Sequence, residues 1–222
     1  MSIVSENLNR IRASIPSDVT LVAVSKTHPI EAIQEAYDAK QRIFGENRVQ
    51  ELVPKFEGMP KDIQWHLIGT LQRNKVKYIA PFVSMIHSVD NLELLKEIDK
   101  EAKKNQRIID CLIQVFIATE ETKHGFSFEE AEALFQSEYS TQFEHVRICG
   151  LMGMASFTED QQQVKREFES LARFRDKIQT NHSIQLPVLS MGMSGDYQLA
   201  IACGSNMVRV GSSIFGSRSY NQ

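Results

Sequence analysis

The sequence contains little that would tie it to a nucleic acid, a membrane or an oxidising compartment. Its 222 residues carry a formal net charge of only −3, so no strong field favours a polyanionic partner. No hydrophobic run approaches the length that spans a bilayer. The three cysteines are odd in number and widely spaced, which does not suit a disulfide framework or a metal site. We therefore expect reduced core thiols in a cytoplasmic protein.

A targeting segment and several catalytic motifs are also missing from the sequence. The first residues lack the basic and apolar regions of a secretory signal peptide. No HExxH, paired CxxC, GxGxxG or GxSxG pattern occurs, which removes several common enzyme classes. No linker rich in glycine, serine or proline marks a boundary, so we expect residues 1–222 to form a single domain.

Short apolar runs alternate with amphipathic stretches along the whole chain. The expected strands are eight in number, at 21–25, 42–45, 65–69, 85–89, 111–117, 146–151, 187–191 and 207–210. Apolar runs that are each followed by helical sequence favour parallel pairing with helices outside. We therefore predict an α/β fold, a (β/α)8 TIM barrel with an extra N-terminal helix over 2–14. An open doubly wound sheet is the alternative, although it usually has fewer strands.

Helix starts can be recognised between the predicted strands. Pro29 suits the first position of a helix, where a missing N–H is tolerated. Asp90 with Glu93, and Ser127 with Glu130, each have the spacing of a capping box ahead of apolar residues. These signals place a helix after the first, fourth and fifth strands.

Lys26 directly follows the first predicted strand, 21–25, which begins with the apolar run 21–24. Burying an ammonium is costly unless it is paired or gives up its proton. A lysine at the end of a core strand can therefore be a reactive amine that forms a Schiff base with a carbonyl. The alternative is that Lys26 simply enters solvent where the strand ends.

Two segments combine glycine with serine just beyond the seventh and eighth strands. They are 190–196 (SMGMSGD) and 209–213 (RVGSS), which contain Ser194, Gly211 and Ser212. In a (β/α)8 barrel phosphate is often held after these two strands. Glycine lets the backbone approach an anion, serine adds a donor, and a following helix adds free N–H groups. Each segment alone is usually a turn, but together they predict a phosphate site.

Other polar residues near strand ends have two interpretations each. Asn47 could hydrogen-bond a ring substituent of a cofactor or cap the next helix, and the cap is more common. His66 lies inside a strand, where a hydrogen-bonded core histidine is more common than a catalytic one. Arg73 and Lys75 belong to a basic stretch that suits a solvated helix face or, less often, an anion site.

A strand-end lysine and a phosphate cradle together suit a phosphorylated aldehyde. Pyridoxal 5′-phosphate (PLP) is the obvious candidate, because its aldehyde condenses with lysine and its phosphate needs an anchor. Arg209 would then face the pyridine nitrogen and, by keeping its own proton, leave that nitrogen unprotonated. The alternative role for Arg209 is a salt bridge near the barrel rim.

Six segments spread over most of the chain are more specific than any single motif. They are 21–27 (LVAVSKT), 44–51 (FGENRVQE), 65–75 (WHLIGTLQRNK), 150–152 (GLM), 189–194 (LSMGMS) and 208–216 (VRVGSSIFG). In this order they resemble the YggS/PROSC family of pyridoxal phosphate homeostasis proteins. Three positions depart from the family pattern: Thr70 replaces a histidine, Asn206 replaces a threonine, and Ser212-Ser213 stands where threonine-alanine is common.

The resemblance implies a barrel like the N-terminal domain of alanine racemase, with PLP as cofactor. It implies that Lys26 is the Schiff-base lysine, with the phosphate near Ser194, Gly211 and Ser212 and with Arg209 at the pyridine nitrogen. Ser212 keeps the hydroxyl for the phosphate in spite of the departure. Thr70 puts in doubt any role that a histidine has at that position.

The resemblance also implies a regulator of free PLP with no established turnover. A racemase needs a second base, which in the alanine racemase fold comes from a C-terminal domain and a partner subunit, and this chain ends at Gln222. We therefore expect a monomeric, non-catalytic carrier, with PLP-dependent apoenzymes as candidate partners and no nucleic-acid or membrane partner. A weak amino-acid racemase, or a lysine aldolase acting on a sugar phosphate, are the alternatives.

Overall fold

The structure, a computed structural model, describes residues 2–119, 125–137 and 142–216. Its strands are β1 (Thr20–Val24), β2 (Ile43–Glu46), β3 (Gln64–Leu67), β4 (Met85–Val89), β5 (Ile109–Gln114), β6 (Val146–Met152), β7 (Val188–Ser190) and β8 (Met207–Val210). Its α-helices are α1 (Ile3–Ala13), α2 (Ile30–Asp38), α3 (Val49–Gly58), α4 (Val76–Ile79), α5 (Leu92–Lys104), α6 (Phe128–Gln136), α7 (Gln161–His182), α8 (Tyr197–Ala202) and α9 (Ser212–Phe215). A short 3-10 helix, Arg73–Lys75, precedes α4.

The eight strands form a closed parallel barrel in chain order, and β8 pairs with β1. The predicted (β/α)8 barrel with an extra N-terminal helix is therefore confirmed. The ends of β4 and β8 match the prediction, and the other strand ends differ from it by at most three residues. Strand pairing places Val22 beside Arg209, so the first and last strands bring distant parts of the sequence together.

Side chains at alternate strand positions face either the barrel interior or the surrounding helices. One interior cluster is apolar and consists of Val22, Met85, Leu112, Cys149, Met152 and Met207. Two residues beyond Met85 and Met207, on the same faces of their strands, the interior positions are held by His87 and Arg209. The interior thus changes from apolar to polar toward the carboxyl ends of the strands. The larger core, which includes Trp65, packs between the strands and the helices.

The N-terminal helix occurs as predicted and packs against α2 and α9. The Ser2 hydroxyl caps it by accepting the Ser5 N–H at 3.2 Å. The Asn7 side-chain amide donates to the carbonyl oxygen of Ile214 at 3.1 Å, which ties α1 to the segment after β8. Helix α1 therefore packs against the segment that directly follows Arg209 and β8.

The other predicted helix starts are partly corrected. Ser127 and Glu130 form the expected capping box of α6. Asn91 and not Asp90 caps α5, because the Asn91 side-chain oxygen accepts the Leu94 N–H at 2.8 Å. Pro29 is the cap and not the first residue of α2, since its ψ of 165° is extended and the helix begins one residue later.

None of the helices in the described ranges combines the length and the hydrophobicity needed to cross a membrane. Cys111, Cys149 and Cys203 are buried free thiols. Burial raises the pKa of Cys149 to about 11, with Asp110 adding to the effect, and it raises the pKa of Cys111 as well. These thiols belong to the core and carry little thiolate at neutral pH.

Candidate cofactor site

A pocket of about 410 Å³ is lined by residues at the carboxyl ends of the strands, where a barrel of this kind carries its chemistry. All six residues predicted to contact a cofactor line it: Lys26, Asn47, Ser194, Arg209, Gly211 and Ser212. Because β1 pairs with β8, residue 26 and residues 209–212 approach the same space from neighbouring strands. The structure thus gathers the predicted residues in one place.

Lys26 lies in a tight turn directly after β1. The His28 N–H closes this turn by donating to the Ser25 carbonyl oxygen at 3.1 Å. Thr27, in the middle of the turn, has a φ of 66°, in the left-handed region. His28 also lines the pocket, and its ring stacks on Phe215 with 5.1 Å between centroids. The turn therefore brings the side chains of Lys26 and His28 to the pocket from the same strand end.

Asn47 follows β2 and lines the pocket instead of capping the next helix. The N-cap of α3 is Arg48, which makes no side-chain cap hydrogen bond. Gly69, after β3, packs so closely that a Cβ at this position would lie 2.5 Å from the Asn47 carbonyl oxygen. A larger residue at 69 would displace this backbone, so the glycine helps to place Asn47 at the pocket.

The two glycine–serine segments meet as the sequence predicts. The Gly211 N–H donates to the Ser194 hydroxyl oxygen at 3.2 Å. A Cβ on Gly211 would lie 3.1 Å from the carbonyl oxygen of Val24, so the segment packs tightly on the end of β1. Ser212 begins α9, which is only four residues long. The available donors are therefore individual N–H and hydroxyl groups, and the helix dipole adds little.

Arg209 is 4% exposed, and its hydrogen bonds to the described residues all go to neutral oxygens. Its guanidinium donates to the Ser190 carbonyl oxygen at 2.9 Å, to the Ser190 hydroxyl at 2.6 Å and to the Gly153 carbonyl at 3.2 Å. Burial lowers the pKa of Arg209 to about 10, and more distant Asp196 opposes the shift. The side chain stays cationic at neutral pH. A guanidinium has more N–H donors than these bonds use, which leaves donors for a ligand.

Two buried histidines extend the hydrogen-bonded chain from Ser190 across the barrel. His87 Nδ1 lies 3.2 Å from the Ser190 hydroxyl, and His87 Nε2 lies 2.9 Å from His66 Nδ1. Because Arg209 can only donate, a consistent assignment has Ser190 donating to His87 and His87 donating to His66. Burial lowers the pKa of His66 to about 4 and that of His87 well below its usual value. Both rings are therefore neutral.

The pocket lining is cationic at one end and apolar at its rim. Among the described residues that line it, none is aspartate or glutamate, whereas Lys26 and Arg209 are both present. Met154, Phe157 and Met193 line the pocket and are exposed large apolar side chains. Such a site suits an anionic ligand that has an apolar ring and a carbonyl within reach of an amine.

The other residues that the sequence singled out lie elsewhere. Thr70 is exposed and outside the pocket lining. Asn206 has a structural role, since its side chain accepts the Leu189 N–H at 2.8 Å. Arg73 is about two-thirds exposed and lies 4.0 Å from Glu93, as expected for a solvated face. Among the described residues, no group of His, Cys, Asp and Glu is arranged to hold a metal ion.

Sequence reasoning missed part of the surroundings of the site. His87 and Ser190 were not recognised as partners of Arg209, although both are polar residues inside buried strands. A polar residue at an interior position of an otherwise apolar strand is uncommon and would have been a usable signal. Glu46, Glu51 and Lys55, which contact the Lys26 turn, were not identified either.

Comparison with known proteins gives consistent matches over the whole fold. Residues 2–219 match the family model for the N-terminal domain of alanine racemase. The pyridoxal phosphate homeostasis protein of Aquifex aeolicus is 43% identical, with 90% of this chain and 87% of the relative covered. The protein of that name from Schizosaccharomyces pombe is 42% identical, with 98% and 94% covered.

Solved structures give the same result. PipY of Synechococcus elongatus, solved without PLP, has a TM-score of 0.91 at 36% identity, with 96% of this chain and 100% of PipY covered. PipY with PLP bound has a TM-score of 0.87 with the same identity and coverage. Alanine racemase of Clostridium difficile, at 15% identity, shares the fold with a TM-score of 0.79 over 99% of this chain and 57% of its own length. This chain belongs to the pyridoxal phosphate homeostasis protein family, which is built on the barrel of the alanine racemase N-terminal domain.

Proposed function

We propose that this chain binds PLP in the pocket, with Lys26 holding it as a Schiff base, and that it acts in PLP homeostasis. One observation carries the proposal. In the part of the chain that the structure describes, the pocket combines a lysine amine, a buried guanidinium whose hydrogen bonds go to neutral oxygens, and hydroxyl donors, without an acidic lining residue. The names of the relatives and the PipY structure with PLP bound support the same ligand.

Different residues of the pocket would hold different parts of such a ligand. PLP supplies an aldehyde that condenses reversibly with an amine, one water being lost. Lys26 provides the amine, and Arg209 donates to the pyridine nitrogen. The Ser194 and Ser212 hydroxyls donate to the phosphate, Gly211 lets the backbone approach it while its N–H holds the Ser194 oxygen, and Asn47 holds a ring substituent.

A carrier fits the pocket better than a racemase does. Racemisation needs proton-handling groups on both faces of the ring. Among the described lining residues, the side chains that commonly move a proton in racemases are the amine of Lys26 and the imidazole of His28, and both come from the turn after β1. The exposed rim at Met154 and Met193 supports release of the ligand. We further propose a cytoplasmic monomer that hands PLP to apoenzymes.

The binding proposal is tested by the visible absorption spectrum of the purified protein with added PLP, before and after borohydride. We expect a yellow band that reduction converts into a stable adduct, located on Lys26 by peptide mass spectrometry. Lys26→Ala should give neither. A wild-type protein that is colourless after incubation with PLP and removal of the unbound PLP would overturn the proposal and favour an aldolase that acts on a sugar phosphate.

The carrier and the racemase are separated by exchange of the α-hydrogen. PLP-loaded protein is incubated with L-alanine in deuterated water, and deuterium at the α-carbon is followed by NMR. We expect no exchange above that of free PLP with the amino acid. Exchange that is faster than this background and is lost in Lys26→Ala would favour the racemase.

A further inference from the structure

The turn that carries Lys26 is strained. Thr27 has a φ of 66°, and a β-branched residue rarely adopts the left-handed region. The third position of a tight turn with positive φ is usually glycine or asparagine. Such a conformation persists only where the surrounding structure holds it, and held strain is typical of functional sites.

Helix α3 holds this turn on both sides of Lys26. The Thr27 N–H donates to a carboxylate oxygen of Glu51 at 2.8 Å. The ammonium of Lys55 donates to the Ser25 carbonyl oxygen at 2.9 Å. Because Glu51 and Lys55 are four residues apart, they lie on the same helix face and reach the two neighbours of Lys26 together.

A buried carboxylate completes the arrangement. One oxygen of Glu46 accepts the Ser25 hydroxyl at 2.6 Å and the Lys55 ammonium at 2.7 Å. The side chains of Glu46 and Lys55 are 0% and 9% exposed. The second Glu46 carboxylate oxygen is buried and has no hydrogen-bond partner in the described part of the chain. Buried ion pairs are often no more stabilising than apolar residues of the same size, so this pair calls for another role.

We propose that Glu46, Glu51 and Lys55, together the α3 clamp, position Lys26 for reaction with a carbonyl. The proposal rests on the proposed function, in which the Lys26 nitrogen bonds to the aldehyde carbon and the carbonyl oxygen leaves with the two amine hydrogens as water. The clamp residues do not line the pocket. They act through the backbone of Ser25 and Thr27, whose conformation sets the direction of the Lys26 side chain.

The test measures how fast Lys26 is modified, with pyridoxal and with PLP as probes. Pyridoxal has no phosphate, so it reports on the lysine without the anchor formed by Ser194 and Ser212. After short exposures each sample is reduced with borohydride, and the modified Lys26 peptide is quantified by mass spectrometry, with Lys26→Ala as the blank. This readout is independent of any turnover by the loaded protein.

Glu51 offers a matched pair of variants. Glu51→Gln keeps an oxygen that can accept the Thr27 N–H, whereas Glu51→Met removes it. We expect Glu51→Met to slow Lys26 modification by about tenfold or more with both probes, since small misplacements of a reacting group have large effects on rate. Glu51→Gln should modify Lys26 at a rate within about twofold of the wild type. This difference between the two variants would assign the slowing in Glu51→Met to the lost hydrogen bond to the Thr27 N–H.

A second pair separates positioning from stability. In Glu46→Gln with Lys55→Met both buried charges are removed, so the fold should be retained while the Ser25 carbonyl loses its ammonium. Lys26 modification should still be slow. Glu101→Gln is the control, because Glu101 is a buried carboxylate paired with Lys104 on α5, outside the pocket lining. It should lower the melting temperature and leave Lys26 modification unchanged.

Each outcome decides between the proposals. If wild-type Lys26 is modified but folded Glu51→Met and the double variant react as fast as the wild type, the clamp is overturned and PLP binding stands. If Glu51→Gln is as slow as Glu51→Met, the hydrogen bond to Thr27 is not what positions the lysine. If wild-type Lys26 is not modified by PLP, the proposed function fails and the clamp proposal fails with it.

Discussion

Two buried cations have different surroundings: Arg209 lines the pocket, and Lys55 contacts the turn that carries Lys26. Lys55 belongs to α3, and its ammonium pairs with the carboxylate of Glu46 on β2 at 2.7 Å. Arg209 lies in the barrel interior and donates to neutral oxygens of Ser190 and Gly153, and no carboxylate in the described ranges pairs with it. The charge of Lys55 is therefore balanced inside the protein, whereas that of Arg209 is available to an anionic ligand. The first region balances its charges with its own side chains, and the second keeps a net positive charge within the described ranges.

The two regions also respond to acid in opposite directions. Burial raises the pKa of Glu46, against the effect of Lys55, so stability linked to Glu46 increases as pH falls toward its ordinary pKa. Burial lowers the pKa of His66 to about 4, so the unfolded chain binds the proton first and stability falls as pH drops below 6.5. The hydrogen-bonded histidines His66 and His87, beside Arg209, are thus the acid-sensitive part of the site.

The largest expected effect comes from removing one charge of the buried pair Glu46 and Lys55. Lys55→Met leaves the Glu46 carboxylate buried without its cation, and we expect the free energy of unfolding at pH 7 to fall by about 3–5 kcal/mol. The deficit should shrink at pH 5.5, because the pKa of Glu46 rises further when the opposing charge is removed. Urea unfolding at the two pH values measures both quantities.

Lys103→Met serves as the control, since Lys103 is an exposed lysine in the last turn of α5. Its effect on stability should stay within about 0.5 kcal/mol. A deficit in Lys55→Met that is under about 1 kcal/mol at pH 7, or that grows in acid, would show that the pair does not balance its charges as described.

The second effect concerns His66 and the pH dependence of the free energy of unfolding. The shift of the His66 pKa from 6.5 to about 4 corresponds to about 3 kcal/mol of stability lost between these pH values. We expect His66→Gln to make stability less dependent on pH between 7 and 5, and Glu46→Gln to make it more dependent, because the two groups act in opposite directions. Urea unfolding at pH 7, 6 and 5 tests this, and an unchanged slope in His66→Gln would contradict it.

The third effect concerns Arg209, whose replacement should weaken ligand binding more than it lowers stability. Arg209→Met removes a buried charge that has no anionic partner among the described residues, so the free energy of unfolding should fall by only about 1–2 kcal/mol. Affinity for PLP, measured by absorbance titration, should fall by about 10- to 100-fold. Arg209→Lys should lie between, because it keeps the charge and loses the planar donors. Wild-type affinity in a folded Arg209→Met would refute the idea that this charge serves the ligand.

The fold and the pocket residues could be predicted from sequence for a physical reason. Buried parallel strands read as continuous apolar runs, and residues that follow them, such as Lys26 and Ser194, must meet at one end of the barrel. The α3 clamp could not be predicted in this way. It depends on Glu46 facing outward from β2 toward Lys55, which follows from strand register and helix packing and not from any local pattern.

The conformation of Thr27 is a further feature that no sequence pattern indicates, and it gives the smallest effect. A positive φ costs a β-branched residue about 1–2 kcal/mol, whereas glycine adopts it freely but gains about 0.5–1 kcal/mol of entropy in the unfolded chain. Thr27→Gly should therefore raise the melting temperature slightly, by about 2 °C. Since glycine does not need to be held in this conformation, Glu51→Met should slow Lys26 modification less in the Thr27→Gly background. An equal slowing in both backgrounds would mean that Glu51 acts on Lys26 by a route other than the strained turn.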